Sequence, residues 1–65
     1  MNISTTYKGR LIEIEVFEVR NGWSWSYTID GSDFTERTDR PLPTASLAEM
    51  EAMQDMHAKL RKATE

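Results

Sequence analysis

The sequence predicts an α+β fold, a three- to four-stranded antiparallel β-meander packed against one C-terminal α-helix. The prediction rests on three observations. Residues 11–19 and 23–29 alternate apolar and polar side chains with a period of two, as half-buried strands do. Asn21-Gly22 lies between them, and both residues tolerate the positive φ of a tight hairpin turn. Beyond Pro43 the apolar spacing changes to that of an amphipathic helix.

The elements follow in order. Ile3 to Tyr7 is β-branched and ends at a Lys8-Gly9 turn candidate, which suits an edge strand. In the next strand Ile12, Ile14 and Val16 point one way and Glu13 and Glu15 the other. The phase slips where Val16 and Phe17 adjoin. A β-bulge there returns Phe17 and Val19 to the core; without one, both faces keep apolar surface. The bulge is the favoured reading. Trp23, Trp25, Tyr27 and Ile29 then share a face opposite Ser24, Ser26 and Thr28. With Asn21-Gly22 as a two-residue turn, Ile14 meets Ile29, Val16 meets Tyr27, Glu13 meets Asp30 and Glu15 meets Thr28. Asp30 to Asp33 forms a second turn, and Phe34 to Thr38 a short further strand. Pro41 and Pro43 make an extended joint through which neither strand nor helix continues. In the helix, Met50, Met53, Met56, His57, Leu60 and Ala63 form one stripe, with Glu51, Asp55, Lys59 and Lys62 opposite. Ser46 and Glu49 match a capping box. The expected bounds are sheet 3–38, proline linker 39–45 and helix 46–63, within a single domain spanning 1–65.

Composition narrows the function classes. Sixty-five residues with 38% apolar content make one small domain, whose core is marginal unless tightly packed or shared. Without cysteine there is no disulfide framework and no thiol chemistry, and a structural zinc site is disfavoured. A net charge of −3 gives no electrostatic footprint for duplex nucleic acid or an anionic membrane. No apolar run exceeds two residues, so no membrane span or secretion signal is expected, and the chain reads as cytoplasmic.

Tyr7-Lys8-Gly9, the Ile/Val strand, Gly22-Trp23-Ser24-Trp25-Ser26-Tyr27-Thr28-Ile29, the proline link and a Thr/Ser-capped helix resemble a group of short proteobacterial proteins of unknown function. The resemblance covers nearly the whole chain. It implies a curved antiparallel sheet with one helix against it, and a bacterial source. Because that family carries no assigned activity, the resemblance implies no site residues.

Several constellations have chemical readings. The Trp23, Trp25 and Tyr27 ladder is either a stacking platform for single-stranded nucleic acid or the core face of a strand, and core is favoured. Glu13, Glu15 and Asp30, projecting together, offer carboxylates to a divalent cation, but a solvated sheet face is the favoured reading. His57 has no second histidine or cysteine to complete a metal site, and no nucleophile elbow accompanies it. It titrates as a switch if half-buried, or else caps the core edge. Phe17 and Val19, if left on the outer sheet face, and Met50 or Met56, at the helix margin, form a candidate interaction surface.

The expectation is a non-enzymatic bacterial protein-interaction module without cofactor, catalytic residues or metal. It binds an unidentified protein partner or itself, and does not bind membrane. The alternatives are a single-stranded nucleic-acid binder using Trp23 and Trp25 and, behind it, a carboxylate metal binder.

Overall fold

A computed structural model describes residues 1–63, with side chains through Lys62. Its elements are β1 (Asn2–Tyr7), β2 (Arg10–Val19), β3 (Gly22–Ile29), β4 (Ser32–Glu36) and α1 (Ala45–Ala63). The strands form one antiparallel sheet in the order β1-β2-β3-β4, and α1 lies across one face. This is the predicted α+β meander.

Two-residue turns join the strands. Lys8-Gly9 and Asp30-Gly31 each place both residues at positive φ (52° and 77°, 53° and 77°), the mirror-image geometry whose twist matches that of the flanking strands. The central turn differs from the expectation. It consists of Arg20-Asn21, with Asn21 at φ 72° and Val19 opposite Gly22. Ile14 therefore meets Tyr27, Val16 meets Trp25 and Ile12 meets Ile29, a displacement of two residues along the partner strand. Because the displacement is even, every side chain keeps its face.

The reason lies in the linker. Leu42 exchanges two backbone hydrogen bonds with Trp23, each 2.8 Å. A Cβ on Gly22 would stand 2.6 Å from the Leu42 carbonyl oxygen and 2.7 Å from the Pro41 Cβ. Gly22 is thus held in the strand, at φ 157°, by the chain packed on it. The proline segment, expected to be a plain connector, contributes a one-residue bridge to the sheet.

The bulge expected at Val16-Phe17 is absent. Pairing between β2 and β3 runs unbroken from Ile12↔Ile29 to Val19↔Gly22, and the irregularity falls instead between β3 and β4, at Tyr27/Ile29. Phe17 and Val19 consequently sit on the face away from α1, half-buried.

The core joins Ile12, Ile14, Val16, Trp25, Tyr27 and Ile29 to Ala48, Ala52, Met56 and Leu60. The helical stripe is rotated from the expected one. Ala48 and Ala52 belong to it and Met50 does not, because residues four apart align along a helix resting on a flat sheet. Glu51, Asp55 and Lys59, expected to face away, flank the β3–β4 side and reach Trp25, Tyr27 and Thr35. Thr44, not Ser46, caps the helix: its Oγ1 accepts the Leu47 N–H at 3.1 Å. Ala63 closes α1, and its predicted place on the stripe lies outside the described side chains.

Gly22→Ala is expected to destabilise the domain by about 1–3 kcal/mol, since backbone must move to admit the methyl group. Thermal unfolding followed by circular dichroism would register it as a fall of roughly 4–8 °C per kcal/mol. In the same assay Met56→Ala should cost about 2–5 kcal/mol and Met50→Ala no more than about 0.5 kcal/mol.

Candidate functional site

With α1 on one face of a four-stranded sheet, the other face has no layer over it among the described residues. Its composition follows from register. Asn2, Ser4 and Thr6 of β1, Leu11, Glu13, Glu15, Phe17 and Val19 of β2, and Ser24, Ser26 and Thr28 of β3 project there, with Phe34 and Glu36 of β4. Three of these side chains are carboxylates and none is Lys or Arg. At the centre lies a trough of about 260 Å³ bordered by Ser4, Glu13, Glu15, Ser26, Thr28 and Phe34. Ser26 is buried at its floor, whereas Phe34 stands 63% exposed at the rim. Leu11 is 44% exposed at one end of the face, and Phe17 and Val19 lie at the other.

The four predicted interaction residues therefore part company. Phe17 and Val19 are on this outer face. Met50 is 55% exposed on the far side of α1, and Met56 is fully buried beneath the helix. Met56 belongs to the core because it continues the Ala48, Ala52, Leu60 row. No single surface holds all four. Phe34 was missed as a site residue. The signal was available, for an aromatic residue in a short edge strand with no apolar neighbour has little to pack on.

The indole ladder lies under the helix. Trp25 is 4% exposed and donates its Nε1–H to Glu51 Oε1 at 2.9 Å. Its ring stacks on Tyr27 with centroids 5.7 Å apart, and Trp23 packs partly buried against the same core. Two of the basic groups near the ladder are engaged elsewhere. Arg37 donates to Glu51 and, through Nε, to the Arg40 carbonyl at 2.7 Å. Arg10 lies 3.5 Å from Asp30. Trp25 and Tyr27 therefore offer bases no exposed ring face.

The carboxylate trio also separates. Glu13 pairs with Thr28 and Glu15 with Ser26, so Asp30 is not opposite either. Asp30 accepts the Leu11 N–H at 3.0 Å and neighbours Arg10, which makes it a turn-closing residue. Among the described residues no three His, Cys, Asp or Glu side chains come together as a metal site. His57 packs its ring 4.4 Å from that of Tyr7, at the β1 side of the helix.

Polar groups between helix and sheet are paired. Tyr27 donates its hydroxyl to Asp55 Oδ2 at 2.6 Å, and Lys59 donates to Thr35 Oγ1 at 2.9 Å while lying 5.9 Å above the Tyr27 ring. Burial, reinforced by the Asp55 hydrogen bond and charge, pushes the Tyr27 hydroxyl from 10.0 up to about 12. Among the described residues no helix is long and apolar enough to cross a membrane. No protein-family model, curated protein or solved structure matches the chain.

Since the Tyr27 hydroxyl ionises later in the folded state than in the unfolded one, its contribution is complete below the unfolded value. It is lost as pH rises toward about 12. Urea unfolding at a series of alkaline pH values should show this fall in the native chain. In Tyr27→Phe the fall should be flatter, and stability at neutral pH lower by about 1 kcal/mol from the missing hydrogen bond.

Proposed function

We propose that this chain is a non-enzymatic bacterial protein-interaction module whose partner lays a basic, partly apolar surface across the open face of the sheet. One observation carries the reading: the described strand residues of that face combine three carboxylates with exposed or half-buried Leu11, Phe17, Val19 and Phe34, and include no Lys or Arg. The aromatic and aliphatic groups supply the water-excluding contacts on which affinity depends. Glu13, Glu15 and Glu36 select the sign of the partner and steer its approach. The trough gives a protruding lysine or arginine a seat between Glu13 or Glu15 and the ring of Phe34, joining charge pairing to a cation–π contact. The resemblance to short proteobacterial proteins accords with a bacterial setting and adds no residue to the surface.

The reading is tested by capture from the source cell, using the native chain and Glu13→Lys/Glu15→Lys as baits. The two side chains are solvent-exposed, so both baits fold alike. A basic protein retained by the native bait, released by salt and bound at least about tenfold more weakly by the variant supports the proposal. Equal retention by both baits, or retention of oligonucleotide by the native chain, removes it.

A further inference from the structure

The two margins of the sheet are finished differently. On the β4 side the ladder carries a register shift, and the strand holds Asp33 and Glu36. Past the end of β4, the margin of β3 is closed by Leu42, which stands between Pro41 and Pro43. Bulges, charges and prolines are the devices by which edges are kept from accepting further strands. β1 has none of them. Asn2–Tyr7 has no charged residue and no proline, and it pairs with β2 in unbroken register.

The direction of its backbone groups follows from one pair. The Met1 amino group donates to the Val16 carbonyl at 2.7 Å and the Val16 N–H to the Met1 carbonyl at 2.8 Å. Antiparallel pairing alternates with a period of two, so Ile3, Thr5 and Tyr7 direct their N–H and C=O groups at β2. Asn2, Ser4 and Thr6 direct theirs away from the sheet.

We infer that β1 pairs antiparallel with β1 of a second copy, about a two-fold axis at Ser4, to make one continuous eight-stranded sheet. The hydrogen-bonded pairs of that seam are Ser4 with Ser4 of the second copy and Asn2 with its Thr6, and Ile3 faces its Thr5. A two-fold seam must be complementary to itself. This one is: every facing pair from Asn2 to Thr6 is uncharged, whereas β4 would bring Asp33 and Glu36 to its own seam. Both strands are already extended, so pairing them does not require ordering a flexible segment. The axis is perpendicular to the sheet, which leaves both helices on the same face. Ile3, Tyr7 and Met53, only partly buried at this margin of the core, then lie between the two helices. The seam uses the sheet edge and stands whether or not the outer face has a partner.

Sedimentation equilibrium of the native chain should show mass rising from 7.5 kDa to twice that value with concentration. Ser4→Pro removes only an outward N–H, so it should keep the native circular dichroism and remain a single chain. Ser4→Lys, which opposes two like charges at the axis, should do the same and covers the case in which the proline variant fails to fold. Because the chain has no cysteine, Ser4→Cys gives clean oxidation chemistry. Facing Cα atoms in a hydrogen-bonded pair lie about 5.5 Å apart, within disulfide reach, so Ser4→Cys should cross-link and Phe34→Cys should not. Glu13→Lys/Glu15→Lys should still dimerise. A single-chain mass at every concentration, a dimer that survives both Ser4 substitutions, or a lack of cross-linking at Ser4 each overturns the inference.

Discussion

Close approach of the helix to the sheet is the constraint on which the rest of the molecule depends. Ala48 and Ala52 end at Cβ, and they lie in the half of α1 whose Glu51 reaches Trp25. Small side chains there admit the indole and phenol rings of β3 without lifting the helix axis. Only at that separation do Glu51 and Asp55 reach Trp25 Nε1 and the Tyr27 hydroxyl. A domain of this size buries a smaller fraction of its surface than a larger one does, so its aromatic residues have to be covered well. Bulkier residues in place of the two alanines would trade polar closure for separation.

The same economy leaves much of the sheet open. One helix is narrower than four strands and covers one face, and its contacts centre on β2 and β3. What remains is an acidic and apolar outer surface and an unblunted margin at β1. Polar groups beneath the helix are paired with one another, so the chemistry available to a partner lies outside the core. Asn2 and Ser4 border the trough and also belong to the free margin, so events at the edge and on the face share a boundary.

Much of this fold was legible in the sequence, and the exceptions have a common origin. Strand periodicity placed Ile12, Ile14, Val16, Trp25, Tyr27 and Ile29 on the buried face, because a period of two leaves no ambiguity once one face is apolar. The hairpin register was misjudged by two residues since turn chemistry at Asn21-Gly22 is a local signal. Leu42, nineteen positions beyond Trp23, decided which of the two residues entered the turn. The helical face was misread for a similar reason. Methionines dominate the apolar spacing of the helix by size, but the aromatic layer below calls for small residues at 48 and 52. Phe17 and Val19 remained ambiguous because one sequence cannot tell whether a second layer exists to receive them. The outer surface is half visible in the sequence: Phe17 and Val19 break the phase of their strand and Phe34 has no apolar neighbour, whereas the lack of Lys and Arg among the face's strand residues emerges only from register.

The Leu42 bridge bears on how the chain acquires its shape. Its hydrogen bonds join Leu42 to Trp23 of the β2–β3 hairpin, and Thr44, which starts the helix, lies two residues further on. Helix docking is thereby tied to completion of a distant ribbon, raising the contact order of an otherwise local topology. In a chain wired in this way, loss of the hairpin removes the anchor of the segment that leads into the helix.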